Sequence, residues 1–269
     1  MQAPAIFGII AGNGVYPKEL ALSARAAGVK KIVAAAFTNE TDPTLAEHVD
    51  VIDWMRVGQL GRLLKFFKES GARQAVMAGQ IAPGNLFDLH PDWKALLLLA
   101  KLKRRNAESI FGAIADELDK AGTDLLPATT FMENAIAKSG LIAGPKLGKR
   151  QRQDIEFGLS IAKEIARLDI GQTVIIKNGT VLAVEGFDGT NETIRRGGKL
   201  AGKDAIMIKV SKPNQDMRFD VPVIGVETVE VAHEAHVRAI AVEAGRTLLL
   251  EKTPILEEAN RSQISIFGC

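Results

Sequence analysis

The sequence predicts an α/β protein with two domains, the first built on a parallel sheet and the second on a mixed sheet. Three observations indicate this class. The first half alternates short apolar runs with amphipathic stretches, a glycine- and lysine-rich segment lies near the middle, and two β-branched runs in the second half flank an Asn-Gly pair. Alternating strands and helices are typical of helix-covered parallel sheets, whereas an Asn-Gly turn joins antiparallel strands.

The first half opens with a strand, a glycine-containing turn and a helix over residues 5–28. Pro17 suits the first turn of that helix, where its missing N–H is not needed. The patterns that follow predict, in order, strands at 30–37 and 51–55, a helix from 59 to 70 that ends at Gly71, a strand at 74–79, mostly helical structure over 91–121, and one more strand within 123–131.

The segment KSGLIAGPKLGK at 138–149 combines three glycines, one proline and three lysines and has no helical or strand period. This composition is typical of a connection between domains. We therefore predict an N-terminal domain over 1–135, a linker over 136–150 and a C-terminal domain over 151–269.

The clearest local pattern of the second half is QTVIIK-NG-TVLAVE at 172–185, which predicts a hairpin with a type I′ turn at Asn178-Gly179. The rest of this half predicts, in order, helices at about 152–168 and 190–200, a strand at 205–211, a helix at about 226–236, strands near 239–242 and 247–251, a helix at 254–261 and a last strand in ISIF at 264–267.

Charge and cysteine content exclude several classes of protein. The formal net charge of +2 lacks the basic excess of nucleic-acid-binding proteins, so we expect no nucleic-acid partner. Cys269 is the single cysteine, which excludes an intrachain disulfide and disfavours a cysteine-based metal site. The N-terminus lacks a signal-peptide pattern, and no segment reaches the roughly 18 apolar residues that span a bilayer. We expect a cytoplasmic protein.

The first turn, Gly12-Asn13-Gly14, matches the first two glycines of the dinucleotide-binding fingerprint, but Pro17 stands where the third glycine belongs. The domain is therefore predicted to be Rossmann-like without a complete fingerprint. Two interpretations remain open: an anion site at a helix N-terminus, or a tight turn that needs glycine for its backbone angles. Gly79-Gln80 follows the fourth strand and is predicted to lie on the same edge of the sheet, where Gln80 either contacts a ligand or caps the next loop.

The densest polar stretch is SKPNQDMRFDVPVIG at 211–225. If its centre runs extended, Asp216 and Asp220 point to one face and offer carboxylate oxygens to Mg²⁺ or Mn²⁺, while Lys212 offers charge for a phosphate. The alternative is a solvated loop with an incidental ion pair.

Two further segments carry two interpretations each. Asp188, Gly189 and Thr190 precede a helix and either contact substrate or supply the helix N-cap. The run KALLLLAKLKRR at 94–105 is a buried helix with a basic end, part of an acyl-chain chamber, or a contact with an anionic membrane surface.

Six motifs occur in the order and at the intervals of one family. The motifs are GIIAGNGVYP, MAGQI, LDIGQ, LAVEGFDGT, KPNQDMRFDVPVIG and IAVEAGR. Over nearly its whole length the chain resembles the LpxI-type UDP-2,3-diacylglucosamine pyrophosphatases of lipid A biosynthesis. The resemblance implies a ligand chamber between two domains and hydrolysis of UDP-2,3-diacylglucosamine to UMP and 2,3-diacylglucosamine 1-phosphate (lipid X), with a divalent metal, Mg²⁺ or else Mn²⁺.

The resemblance also implies roles for individual residues. Asp220, in the family's Asp-x-Pro-x-Ile-Gly motif, is expected to bind metal or activate water, with Asp216 as a second metal ligand and Lys212 as a catalytic phosphate contact. The expected substrate-binding residues are Gly12, Asn13, Gly14, Gly79, Gln80, Asp188, Gly189, Thr190 and Gln215. Family members commonly have glycine where this chain has Asn13.

The resemblance also suggests peripheral contact with the inner membrane and leaves open whether the chain forms a homodimer. Two other functions remain as alternatives. One is a non-catalytic carrier of sugar nucleotide or lipid, and the other is a dinucleotide-dependent oxidoreductase, which the incomplete fingerprint disfavours.

Overall fold

The computed structural model describes residues 3–81, 91–102, 107–213 and 215–269, and the chain divides into two compact units. The N-terminal unit comprises Met1–Glu133 together with Asp216–Asp220. The C-terminal unit comprises Asn134–Gln215 and Val221–Cys269. A short stretch from the second half of the sequence, Asp216–Asp220, therefore belongs to the N-terminal unit.

The N-terminal unit is a Rossmann-like arrangement around one parallel sheet. Its five strands pair in the order β3-β2-β1-β4-β5, and every pair is parallel. The elements are β1 (Ile6–Ala11), α1 (Tyr16–Ala26), β2 (Lys31–Phe37), β3 (Val51–Met55), α2 (Leu60–Ser70), β4 (Gln74–Ala78), α3 (Trp93–Lys101), α4 (Ala107–Lys120) and β5 (Asp124–Leu125).

Helix α2 shows how the sequence pattern produces this packing. Leu60, Leu63, Leu64 and Phe67 recur at helical spacing, and all four are buried in the core of the N-terminal unit. The helix ends at Gly71, whose φ of 73° is the left-handed conformation that glycine adopts without strain. The predicted helix boundary is therefore confirmed.

Residues 91–121 form two helices, α3 and α4, where the sequence predicts mostly helical structure. Residues 103–105, the basic end of the run at 94–105, lie outside the described part of the chain. Within the predicted strand at 123–131, only Asp124–Leu125 pairs with the sheet, because Pro127 begins a turn closed by the Thr130 amide. No helix in the described ranges is long and apolar enough to cross a membrane.

The C-terminal unit is built on a mixed sheet of six strands in the order β6-β13-β11-β9-β7-β8, so the predicted fold class is confirmed for both units. Strands β9, β11 and β13 are parallel, and the remaining pairs are antiparallel. Strands β10 and β12 form a small parallel sheet. The elements are β6 (Gly140–Ala143), α5 (Lys149–Arg167), β7 (Thr173–Lys177), β8 (Thr180–Val184), α6 (Gly189–Ala201), β9 (Ala205–Lys209), β10 (Val223–Ile224), α7 (Val226–Glu234), β11 (Val237–Val242), β12 (Leu248–Leu249), α8 (Lys252–Arg261) and β13 (Ser265–Gly268).

Both faces of this sheet are buried. In β9, Ile206 and Ile208 pack with residues of α5, whereas Met207 packs with residues of α6, α7 and α8. Successive side chains of a strand point to opposite faces, so helices cover the sheet on both sides. This is why the central strands are mostly apolar along their length rather than alternating between apolar and polar residues.

Residues 136–150, for which the sequence predicts a linker, include the edge strand β6, which pairs antiparallel with β13. Gly140 and Gly144 have φ values of 92° and 76° and lie at the two ends of this strand region. The glycines thus mark where a four-residue strand begins and ends. A strand this short produces no sequence period that could be recognised.

The predicted type I′ hairpin is confirmed. Asn178 and Gly179 have φ values of 52° and 71°, the positive pair that this turn requires. The carboxylate of Asp154 in α5 accepts hydrogen bonds from the amides of Asn178 at 2.9 Å and Gly179 at 2.7 Å. Asp154 is only 6% exposed, so its carboxylate fixes the turn against the helix from inside the unit.

We expect Asp154→Ala to lower the free energy of unfolding by about 2 kcal/mol, because two charge-assisted hydrogen bonds are lost together. Urea unfolding followed by circular dichroism measures the change. Glu156→Ala, an exposed position on the same helix, is the matched control and should lie within about 0.5 kcal/mol of the wild type. Equal stability of the two variants would contradict the assignment.

Candidate functional site

The two glycine turns lie where β1 and β4 end, in the middle of the N-terminal sheet. The winding of the sheet reverses between these two strands in the order β3-β2-β1-β4-β5. Open α/β sheets bind ligands outside the carboxyl ends of their strands at such a reversal. Residues 12–14 follow β1, and Gly79 and Gln80 follow β4, so the structure brings these predicted substrate-binding residues together.

The backbones of the two turns are hydrogen-bonded to each other. The Gly12 amide donates to the Ala78 carbonyl at 2.8 Å, and the Asn13 amide donates to the Gln80 carbonyl at 2.7 Å. A Cβ atom on Gly12 would lie 2.4 Å from the Gln80 carbonyl oxygen, and one on Gly79 would lie 2.4 Å from that of Asn13. These two glycines are therefore needed for the close approach of two backbones, and the amides of residues 12 and 13 are already engaged.

The donors that remain for an anion come immediately afterwards. Gly14 has a φ of 83°, and among the described residues no carbonyl accepts a hydrogen bond from the amides of Gly14 and Val15. Helix α1 begins at Tyr16, so these amides lie at a helix N-terminus, where the macrodipole favours negative charge. The tight-turn interpretation is thus confirmed for Gly12, and the anion site stays a prediction for the amides of Gly14 and Val15.

The side chain of Asn13 has a partner within the protein. Its Nδ2 donates to the carboxylate of Glu40 at 3.0 Å, and Glu40 is only 8% exposed. This bond connects the turn after β1 to the loop after β2. Gln80, by contrast, is exposed at the same edge of the sheet.

The segment Asp216–Asp220 is fixed to the N-terminal unit by two contacts. The Ala128 amide donates to the Met217 carbonyl at 2.7 Å. The ring of Phe219 packs against the unit's core and lies 5.7 Å from the ring of Phe111, centroid to centroid. A partly buried aromatic side chain next to Asp220 therefore fixes the position of this segment within the unit.

Tyr16 connects this segment to the first glycine turn. Its hydroxyl donates to the carbonyl of Ala128, the same residue whose amide binds Met217. Tyr16 is 6% exposed, and burial raises the pKa of its phenol, so it acts as a neutral donor. The first residue of α1 and the Asp220 segment are thus joined through one intervening residue.

Residues 216–220 form a turn, and the extended run that would place both carboxylates on one face is not present. The Asp220 amide donates to the Asp216 carbonyl at 3.0 Å, which closes the turn. The Asp216 carboxylate pairs with Arg218 at 2.6 Å, and hydrogen bonding from this guanidinium lowers the pKa of Asp216. Among the described residues, no group donates a hydrogen bond to the half-buried Asp220 carboxylate.

These contacts decide which residue suits a divalent metal. Both oxygens of Asp216 are engaged by Arg218, whereas the Asp220 carboxylate accepts no hydrogen bond from the described residues. No group of three or more potential metal ligands is found in the described ranges. Mg²⁺ commonly takes one or two carboxylates and completes its shell with water and substrate phosphates. Asp220 fits that chemistry, and Asp216 is committed to its ion pair.

In the C-terminal unit, Lys212 and Gln215 are brought together. The Lys212 amide donates to Oε1 of Gln215 at 2.7 Å, and the Lys212 ammonium pairs with Asp169. Gln215 is 9% exposed, and its Nε2 is buried with no hydrogen-bond partner among the residues described. An unsatisfied buried donor costs about 1–3 kcal/mol, so a ligand oxygen that accepts from Gln215 would gain correspondingly.

Gly189 and Thr190 are the first two residues of helix α6, and Asp188 occupies its N-cap position without a capping hydrogen bond from its side chain. Instead, the Asp188 carboxylate accepts from the Gly186 amide at 3.0 Å and pairs with Arg196 at 2.8 Å. The predicted N-cap position of Asp188 is therefore confirmed, but its side chain makes no capping bond, because the Gly186 amide and Arg196, two turns along α6, engage the carboxylate.

Thr190 belongs to a cluster with two residues that sequence reasoning missed. Its hydroxyl donates to Glu185 at 2.7 Å and accepts from the Lys209 ammonium at 2.8 Å. Burial acts to raise the pKa of Glu185, but the charge of Lys209 and the hydrogen bond from Thr190 outweigh it and lower this pKa. Glu185 and Lys209 thus fix the position of the Thr190 hydroxyl at the end of the sheet.

A second missed cluster surrounds Glu243. Its Oε2 accepts hydrogen bonds from the Lys163 ammonium at 2.6 Å, the Ser211 amide at 2.8 Å and the Ser211 hydroxyl at 2.7 Å, and Arg246 lies 3.7 Å from Oε1. Glu243 directly follows β11, as Glu185 directly follows β8. The sequence signal for both glutamates was a polar residue directly after an apolar strand. Which strand ends lie at the same edge of the sheet is known only from the sheet topology.

We expect Glu243 to make the stability of the protein depend on acid pH. Burial acts to raise its pKa, but hydrogen bonds from Lys163 and Ser211 outweigh burial and hold this pKa below the ordinary 4.5. A carboxyl group whose pKa is lower in the folded state stabilises the protein above pH 4.5 and loses that contribution as the pH falls through the folded value. Between pH 6 and pH 3 the free energy of unfolding of Glu243→Gln should therefore fall by about 1 kcal/mol less than that of the wild type. Urea titrations at each pH measure this difference. The control variant Glu156→Gln should show the same pH dependence as the wild type. The same pH dependence in Glu243→Gln as in the wild type would contradict the expectation.

Comparison with known proteins decides the family. A model of the LpxI N-terminal domain matches residues 7–135, and a model of the LpxI C-terminal domain matches residues 138–267. The chain belongs to the LpxI family. A curated LpxI relative from Caulobacter vibrioides, UDP-2,3-diacylglucosamine pyrophosphatase LpxI, is 30% identical over 274 residues, covering 97% of this chain and 96% of the relative.

Two solved structures show distant likeness to this LpxI-family chain. The biotin carboxylase domain of Hydrogenobacter thermophilus 2-oxoglutarate carboxylase is 14% identical with a TM-score of 0.29, covering 67% of this chain and 36% of that one. The biotin carboxylase subunit of pyruvate carboxylase is 16% identical with a TM-score of 0.27, covering 67% and 35%. The LpxI-family chain therefore spans only about a third of these proteins.

Proposed function

We propose that this protein hydrolyses the pyrophosphate bond of UDP-2,3-diacylglucosamine, releasing UMP and 2,3-diacylglucosamine 1-phosphate (lipid X), in lipid A biosynthesis. The observation that carries the proposal is the 30% identity, over 97% of the chain, to a relative named for this activity. Family models that match both halves of the sequence support it.

The described residues supply groups suited to this chemistry. Pyrophosphate hydrolysis needs positive charge or N–H donors on the phosphoryl oxygens and one oriented water. The amides of Gly14 and Val15 lie at a helix N-terminus in the N-terminal unit, and Lys212 and Gln215 offer donors in the C-terminal unit. We assign these groups to the diphosphate and sugar of the substrate.

Asp220 is the residue to which we assign the reacting water. Its carboxylate is half-buried and accepts no hydrogen bond from the described residues, so its lone pairs are available. A divalent metal, Mg²⁺ or else Mn²⁺, would be held by Asp220 and would supply charge for the phosphoryl oxygens. Asp216 instead orders the turn through Arg218 and keeps Asp220 in place.

The test is turnover by the purified full-length chain with synthetic UDP-2,3-diacylglucosamine and added Mg²⁺ or Mn²⁺, followed as release of UMP and lipid X. We expect both products in equal amounts, and we expect excess chelator to stop their release. Substrate binding without release of UMP would indicate a carrier and would overturn the proposal. Undiminished turnover in excess chelator would contradict the requirement for a metal but not the hydrolase activity.

A further inference from the structure

Helix α3 presents an apolar face to solvent. Trp93 is 72% exposed, and Leu96 and Leu97 are each 45% exposed. On its other side, Ala95 is buried in the core of the N-terminal unit and Leu98 packs against that core. A helix of a globular protein normally places polar residues on its solvent face, so exposed apolar residues on this side of α3 indicate a contact surface.

The exposed face is continuous and has positive charge at its margin. At 3.6 residues per turn, Trp93, Leu96, Leu97 and Ala100 fall within an arc of about 100°. The exposed residues Lys94 and Lys101 lie along one side of this arc.

The nearby carboxylates offset this charge in part, because Glu117 attracts Lys94 and Lys101 as well as Lys120. At the start of the helix, the Asp92 carboxylate accepts from the amides of Gly61 and Ala95, so it serves as the helix cap. Glu117 of the neighbouring α4 is paired with Lys120 at 2.7 Å. The face of α3 is therefore apolar in its centre and cationic at its margin.

We propose that α3 docks the N-terminal unit onto the surface of an anionic lipid bilayer. Tryptophan and leucine on one face with flanking lysines is the composition of helices that lie in the membrane interface. Tryptophan prefers the headgroup level, where its ring is in an apolar layer and its N–H remains hydrated. Lysines near an anionic surface add electrostatic attraction to it. The inference rests on exposure and charge alone and does not depend on the proposed reaction.

The first experiment measures sedimentation of the full chain with vesicles of phosphatidylglycerol and phosphatidylethanolamine, and with vesicles of phosphatidylcholine alone. We expect binding to the anionic vesicles that weakens with added salt. The double variant Leu96→Gln/Leu97→Gln should bind at least about tenfold more weakly, because the apolar area inserted is lost. Lys94→Glu/Lys101→Glu should also bind at least about tenfold more weakly. Leu22→Gln, on α1 of the same unit and 49% exposed, is the matched control and should bind as the wild type.

The second experiment uses the fluorescence of Trp93. The sequence has two tryptophans, so Trp54→Phe leaves Trp93 as the single indole. Its emission should shift to shorter wavelength when anionic vesicles are added. Equal binding to both lipid compositions, or no effect of the α3 variants, would overturn the proposal. Conversion of a dimer into monomers by Leu96→Gln/Leu97→Gln, without vesicle binding by the wild type, would assign the face to a second copy of the chain instead.

Discussion

Asp220→Asn should lower the rate of UMP release roughly a thousandfold while leaving the fold unchanged. Loss of a group that orients or activates the reacting water typically costs 10²- to 10⁴-fold. The structure gives the substitution little reason to destabilise the protein, because no described group donates a hydrogen bond to this carboxylate. The measurement is kcat for UMP release, with substrate binding followed by calorimetry; we expect binding to persist.

Asp216→Asn is the matched control for this prediction. Its carboxylate is only four residues away, but it is engaged by Arg218 in an ion pair at the protein surface. Such a pair contributes about 1 kcal/mol or less, so the variant should retain activity within about tenfold of the wild type. Activity of Asp220→Asn within threefold of the wild type, or equal loss in the two variants, would show that Asp220 has no special role.

Gly79→Ala should destabilise the N-terminal unit by about 3 kcal/mol or more. Gly79 has a φ of 91°, which is strained for any residue with a Cβ atom, and the new methyl would lie 2.4 Å from the Asn13 carbonyl oxygen. The two turns would have to separate, which breaks the hydrogen bonds between residues 12–13 and 78–80. Thermal and urea unfolding measure the loss.

Gly14→Ala separates the two causes of that loss. Gly14 also has a positive φ, at 83°, but nothing lies within 4 Å of its Cβ position. It should therefore cost only the backbone strain, about 1–2 kcal/mol. If both variants lose the same stability, close approach of the two turns is not what requires glycine at position 79.

The sequence predicted most of the helices and the long strands, because each of them repeats an apolar pattern over several turns or pairs. Helix α2 has four apolar residues at helical spacing and a glycine at its end, and the hairpin at Asn178-Gly179 needs only local turn chemistry. The short strand β6 was not recognised, and the two-residue strand β5 was predicted only within the longer stretch 123–131, since the extent of both strands is set by pairing with distant strands.

The candidate site was predictable only in part. Asp220, Lys212 and Thr190 were selected from the motifs. Glu185 and Glu243 lie within two of these motifs but were assigned no role, and Lys209 lies outside all of them. Their roles depend on contacts at the ends of separate strands. Nor did the motifs separate Asp216 from Asp220, because both are acidic residues in one loop. The distinction depends on the Arg218 guanidinium, which the turn brings onto Asp216.

The sequence by itself determined the α/β class, the glycine turns and the family, since these depend on local patterns and on motif order along the chain. Two features were decided by tertiary structure alone. Gly12 and Gly79 each leave room for the backbone of the other turn, and the segment containing Asp220 belongs to the N-terminal unit. The physical reason is that both outcomes depend on contacts between residues far apart in sequence, and such contacts leave no period or spacing in the chain itself.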